Sequence, residues 1–526
     1  MDKLLVLTLT ALIVLPGPVL ASDGALDGTF GIGGRVSSRF PDFPNAAGIQ
    51  PDGKIIVAGS AQGTGPGASG DFALVRYNSN GSLDTTFGLR GQVTSDFSRR
   101  DDVALALAIQ SDGKIVAAGS ANGPYYTADF ALARYYRDGS LDTTFGIGGK
   151  VTTNFSASGD LISALTIQPD GKILAAATIG MNLGPDPSGI RVIVRYNSDG
   201  SLDADFGIDG KVTTDLTNFA RALAIQVDGK IIVAGTNAQQ SETRALLARY
   251  NTDGSPDKTF GDGEKVTTEV ASFINGLALQ ANGKIIAVGG FQGPGIARFN
   301  SDGSLDFSFG TGGKARLDFG AESESLFALT IQSDGKILVG GDSEEYTETM
   351  MALARFNRDG SLDETFGIGG KVKSGLGDRT SRITSLQIQP NGKIVATGFG
   401  LQHELGSFEF TRTSELARFN TSGLQLVSDI RFDARFPIPI GDSWTATVSG
   451  SNLTDETYFD LRFRSPGSNT DRVALNWQQG TAARHSIPVG TATGTWIITG
   501  VRPHLDISDP DGEFIPVSAA LAVSGE

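Results

Sequence analysis

Leu105–Ser120, LALAIQSDGKIVAAGS, decides how this chain is read. Two short apolar runs, Ala106–Gln110 and Lys114–Gly119, flank an Asp-Gly turn, and each has the length of a strand rather than of a helix. The phrase occurs in seven copies. Its turn glycine falls at Gly53, Gly113, Gly171, Gly229, Gly283, Gly335 and Gly392, in steps of 60, 58, 58, 54, 52 and 57 residues. A period of that size suits one four-stranded sheet per repeat with generous loops.

Each full copy carries four strand signals. Ala106–Gln110 and Lys114–Gly119 are the first and second, and Ala131–Tyr135 and Lys150–Thr153 the third and fourth. In its fullest form, Gln50–Lys54, the first turn reads Gln-Pro-Asp-Gly-Lys. Proline presets a type I turn and glycine takes the left-handed position after it. From the third-strand arginine to the first apolar residue of the fourth strand the spacing is always 17, as in Arg134–Val151. From the turn glycine to that arginine it runs from 15 (Gly283–Arg298) to 26 (Gly392–Arg418). Alternate connections of an antiparallel meander emerge on the same edge, so constant loops share one face and variable loops the other. The repeated stretch thus reads as scaffold. Recognition is expected beyond Ser120, on the variable face, where Arg99, Arg100, Tyr125 and Tyr126 are the candidate binding residues.

The two ends complement each other. Asp23–Gly31 and Arg35–Phe40 form a third-to-fourth connection and a fourth strand with no third strand before them. Glu415–Phe419 is a third strand, and Leu424–Arg435 after it lacks the Phe-Gly and a recognisable fourth strand. An N-terminal strand that completes the last sheet closes a seven-bladed β-propeller of four-stranded blades and removes its exposed edges. The competing open solenoid leaves both ends unpaired. The phrases Ile49–Ser60 and Phe72–Gly88 resemble the delta-60 repeat family of bacterial propeller proteins, over roughly residues 22–424. The pattern is also similar to NHL-type propellers, which implies that the four strands run in order from the axis outward. The resemblance implies an exported bacterial protein of a family mostly without assigned activity.

Composition agrees with a turn-rich all-β chain: 70 of 526 residues are Gly and only 19% are charged, yet Val, Ile, Leu and Phe recur in short runs. Lys3, the apolar Leu4–Leu15 and the small-residue pattern Val19-Leu20-Ala21 read as a signal peptide over 1–21, cleaved after Ala21. Its apolar core is shorter than the ~20 residues of a membrane span. The alternative is an uncleaved anchor. A secreted, periplasmic or cell-surface monomer is therefore expected. Cysteine is absent, which excludes disulfides, thiolate metal sites and a Cys nucleophile. A net charge of −15 and a pI near 4.8 disfavour nucleic acid and anionic membranes as partners.

From residue 425 the repeat stops. All three tryptophans, Trp444, Trp477 and Trp496, lie there, and no lysine follows Lys393. Short runs such as Trp444–Val448, Tyr458–Phe463 and Arg472–Trp477 suit an immunoglobulin-like β-sandwich over 425–526.

Chemistry is sparse. Histidine occurs only at His403, His485 and His504, so a Ser-His-Asp or poly-His metal site is hard to assemble. Asp101, Asp102, Asp160, Glu322, Glu344, Glu345 and Asp378 are the carboxylates that paired-acid catalysis would draw on. The third-strand arginines recur in every blade and are expected to pair with Asp84, Asp142, Asp203, Asp257, Asp306 and Asp363. The repeated Phe of Phe-Gly reads as a plug between blades. Asn197–Asp203 and Asp506–Glu513 place oxygens as a calcium loop does, but Asp-Gly with Asn is also ordinary turn chemistry. The expectation is a non-enzymatic binding or structural protein with no cofactor, whose partner is an envelope or extracellular protein or a glycan. The alternatives are a carboxylate-based hydrolase or lyase on extracellular polymer, and a calcium-dependent adhesion protein.

Overall fold

The computed structural model describes residues 24–421 apart from connections at 63–68, 98–99, 122–127, 182–188, 218–219, 240–241, 269–272, 291–293, 322, 346–347, 376–379 and 404–409, and beyond 421 the backbone of eight strands. Among the described residues every regular element is a strand, and no helix is long and apolar enough to cross a membrane. The chain falls into two compact units, residues 35–419 and the remainder.

In residues 35–419 the repeat becomes a repeated sheet. Phe43–Ile49, Ile55–Gln62, Gly70–Tyr77 and Gln92–Ser95 pair in sequence order as one four-stranded antiparallel sheet, and four more sheets of the same order follow. An eight-stranded sheet then contains two such sets. Its first set starts at Ser323–Ile331, its second at Thr380–Ile388, and a parallel bridge from Thr349 to Thr380 joins them. In the second set, Arg35–Ser38 from the start of the chain lies antiparallel to Phe410–Phe419, with Arg35 opposite Ala417 and Ser38 opposite Ser414. Ser37 Oγ donates to the buried Glu415 Oε1 across this pairing at 2.7 Å.

Local chemistry sets the sheet. All seven turn glycines have φ between 80 and 86°, where a side chain would be strained. Gly53 N donates to Gln50 O at 2.8 Å and Gln50 N to Lys54 O at 2.9 Å, which closes the tight hairpin. The core lies between neighbouring sheets. Ile56, Phe72, Leu74 and Phe87 of the first sheet and its connections pack on Ala104, Ile115, Ala117 and Tyr135 of the second, and the next four interfaces repeat the arrangement.

In the other unit, Gly24 N donates to Asn420 O and Asn420 N to Ala25 O, both at 2.9 Å. Leu426–Asp433, Ser443–Ser451 and Ala483–Ser486 form a three-stranded sheet. Ile438–Pro439, Ala519–Ser524, Gly494–His504, Tyr458–Arg464 and Asp471–Gln478 form a five-stranded one.

Candidate functional site

The groups shared by all repeats are engaged with one another. Nε of Arg76, Arg134, Arg195, Arg249, Arg298 and Arg355 donates to the partner aspartate eight residues on, at 2.5–2.7 Å. The hairpin lysine reaches the same oxygen at 2.6–3.0 Å. Each guanidinium also covers the buried Phe of its own Phe-Gly, as Arg134 covers Phe145 at 4.7 Å. Burial works against the charge of these aspartates. Hydrogen bonds from a Thr or Ser, from lysine and from the backbone, with the arginine's charge, outweigh it. They hold Asp84, Asp142, Asp257 and Asp306 well below the ordinary carboxylate range, and Asp363 at about 2. Such carboxylates stay ionised and occupied, and suit a scaffold rather than proton transfer.

A different position converges on open space. Between the first and second strands of every repeat the register slips by one residue, a β-bulge. The residues at the slip are Asn45, Leu105, Ser163, Arg221, Asn275, Phe327 and Thr384, each eight before its turn glycine. Together with Arg382 and Phe399 these seven line one cavity of about 340 Å³. In most repeats the bulge has a glycine opposite. A Cβ on Gly59, Gly119, Gly289, Gly341 or Gly398 would fall 1.7–2.0 Å from the carbonyl oxygen of the facing first strand. The third repeat carries Ala177 there and has a second slip, between Gly159 and Leu161.

Four polar members of this ring tie their first strand to the next. Asn45 Nδ2 donates to Ala104 O at 2.9 Å, Ser163 Oγ to Ala220 O, Arg221 Nη1 to Asn275 Oδ1 at 3.1 Å, and Asn275 Nδ2 to Leu326 O at 2.7 Å. Gln387 Nε2 of the last repeat donates to Ala47 O of the first at 3.1 Å. Farther out, Arg76 Nη1 reaches Arg137 O in the following repeat, and Arg418 Nη1 reaches Ser79 O in the first.

Six stretches, residues 50–87, 110–145, 168–206, 226–260, 280–309 and 332–366, match the family described as domain of unknown function (DUF5122) beta-propeller. The repeats are those of a β-propeller. No curated protein matches the chain. Among solved structures it is similar to two glucose dehydrogenases. The likeness is 14% identity over 59% of this chain in both cases, covering 95% and 94% of theirs, with TM-scores of 0.35 and 0.34.

In the propeller, Arg100 is exposed on the connection before Val103–Ile109, outside the cavity lining. Arg99, Tyr125 and Tyr126 lie outside the described residues, as do Glu322 and Asp378 and the side chain of Glu345. Two of the candidate carboxylates are buried loop pins: Asp102 Oδ2 accepts Phe97 N, and Asp160 Oδ2 accepts Phe155 N, both at 2.7 Å. Asp101 accepts Gly70 N at 2.9 Å, and Glu344 is exposed. Oxygens of Asp71, Asp96 and Asp102 lie within 4.8 Å of one another. Burial and then Asp96 push the Asp71 carboxyl up. In the Asn197–Asp203 loop, Asp199 Oδ1 accepts both N and Oγ of Ser201, which is turn chemistry.

Sequence reasoning missed the bulge ring, although Leu105 opens the stretch that organises the chain. The signal was present: at the eighth residue before the turn glycine the seven copies carry Asn, Leu, Ser, Arg, Asn, Phe and Thr. That is variety inside an otherwise uniform strand.

Proposed function

We propose that this is an exported, non-enzymatic binding protein: a seven-bladed propeller closed by Arg35–Ser38, followed by an immunoglobulin-like sandwich, with a small polar ligand held in the central cavity. One observation carries the reading. The shared acids and bases are consumed in scaffold pairs, whereas seven side chains of six types, one from each repeat, meet in one cavity of about 340 Å³. That volume is within the usual ~300–1,000 Å³ of ligand sites. The pairing of Arg35–Ser38 with Phe410–Phe419, and the reach of Arg418 and Gln387 into the first repeat, support the ring. The two sheets of the C-terminal strands support the sandwich. Export rests on Lys3, Leu4–Leu15 and Ala21.

The test is a saccharide and glycan screen on the full chain, repeated with Leu105→Trp, which fills the cavity from a position without hydrogen bonds to lose. Saturable binding that the Trp variant loses supports the reading. Absence of any binder, or binding untouched by the variant, overturns it. Cleavage of a bound polymer overturns the non-enzymatic part.

A further inference from the structure

The last two repeats depart from the others at one corner of the cavity. Seven residues after the turn glycine the first five copies carry Ser60, Ser120, Thr178, Thr236 and Gly290, but the last two carry Asp342 and Phe399. Ten residues before that glycine most copies are apolar, but the last carries Arg382. Six residues before the third-strand arginine the other copies carry Gly70, Ala128, Gly189, Thr243, Gln292 and Thr349, and the last carries Arg412. These substitutions assemble in space. The Arg412 guanidinium lies 4.2 Å from the Phe399 ring centre and 4.8 Å from that of Phe43, so it is held between the last sheet and the first. Arg382 lies 4.7 Å from Phe327 and 5.8 Å from Phe399. It donates to Asp342 through Nε.

Two guanidiniums therefore share one ring, and the carboxylate bound there, Asp342, pairs with Arg382. Among the described residues no carboxylate pairs with Arg412. It is half-buried, and burial followed by the charge of Arg382 lowers its pKa. A crowded, undercompensated cation inside a chain of net charge −15 destabilises the free protein and favours an anion at that place. Stacking on aromatic faces leaves the N–H edges of a guanidinium free for a planar fork of acceptors. The cavity beside it offers the amides of Asn45 and Asn275, the hydroxyls of Ser163 and Thr384, and the faces of Phe327 and Phe399. Amides and hydroxyls suit sugar hydroxyls, and an aromatic face suits the C–H face of a sugar ring.

We propose that Arg382 and Arg412 form a carboxylate-binding subsite for an acidic sugar whose ring lies in the central cavity. This rests on the cavity-binding reading above. The experiment is calorimetry of the full-length protein with three probes: a panel of uronic acid disaccharides, their neutral counterparts, and inorganic phosphate. A uronate is expected to bind, and Arg412→Gln to weaken it by more than about tenfold while leaving the far-UV spectrum unchanged and Tm no lower. Arg412→Lys keeps the charge without the fork and should fall between the two. If Arg412→Gln does not fold, Arg382→Gln carries the same test. Phosphate bound as tightly as uronate, or neutral sugars bound equally and indifferent to Arg412→Gln, overturns the proposal and leaves the cavity reading standing. No binding by any member of a broad glycan screen overturns both.

Discussion

Removal of Asp142 tests the pairing that recurs in six of the seven repeats. Its carboxylate is fully buried and accepts Arg134 Nε at 2.7 Å, Lys114 Nζ at 3.0 Å, and Thr144 N and Oγ1 at 3.1 and 2.6 Å. Arg134 is itself only 7% exposed. Asp142→Ala leaves that guanidinium buried without its counter-ion, and breaking a buried pair in this way costs about 3–5 kcal/mol. Replacing both members, Arg134→Met with Asp142→Ala, removes the stranded charge. It still orphans Ser198 O, which Arg134 Nη1 serves in the next repeat and whose loss adds about 1–3 kcal/mol. The double variant should therefore be no less stable than Asp142→Ala alone, with a coupling of at least about 2 kcal/mol in the cycle. Urea unfolding followed by far-UV circular dichroism is the assay, because all three tryptophans lie outside the repeats. A loss below about 1 kcal/mol for Asp142→Ala, or additive single effects, would refute the argument that these pairs are buried struts.

Acid should unfold the repeats in a defined window. Aspartates held below their unfolded value contribute stability above about pH 4 and lose it as pH falls towards 2; for Asp363, shifted from 3.8 to about 2, this is about 2 kcal/mol. A pH titration of Tm that stays flat from 5 to 2 contradicts this. Glu415 works in the opposite sense: burial lifts its carboxyl above the usual value, so its charge weakens the fold as pH rises through the folded value. Glu415→Gln, still bonded to Ser37 and Thr413, should match or exceed the wild-type Tm at pH 7 and lose that advantage near pH 4. Gly398→Ala forces a Cβ to within 1.7 Å of Arg382 O and should cost about 1–3 kcal/mol or more, whereas Ala177→Gly should cost only about 0.5–1 kcal/mol; equal effects would count against the bulge argument. Deleting residues 22–40 removes the strand paired with Phe410–Phe419, and light scattering should register aggregation through the bared edge.

What the sequence made legible is what repetition amplifies. Seven glycines at one phase gave away the hairpin, and an arginine repeated in every copy with an aspartate in the connection after it gave away the Arg–Asp pairs. The bulge was hidden because one skipped residue leaves the apolar alternation of a short strand almost intact. Leu105 and Phe327 look like core residues, and the neighbours that show otherwise are Ser163 and Arg221 in other copies. The Arg382–Arg412 corner was hidden for a further reason. Arg382, Phe399 and Arg412 come from three strands and become neighbours only when register places Arg382 opposite Phe399 and brings Arg412 diagonally beside it. Loop-based reasoning pointed to Arg99, Arg100, Tyr125 and Tyr126, of which Arg100 is among the described residues and is exposed.

The strand Arg35–Ser38 also sets a clock. It is synthesised some 380 residues before its partner, Ser414–Ala417. At ~5–20 residues per second that interval is roughly 20–75 s, during which earlier sheets are able to pair locally but this strand is not. The strand waits unpaired over that interval, so a short, polar RVSS segment, poor at pairing with other copies of itself, is the safer choice at that place.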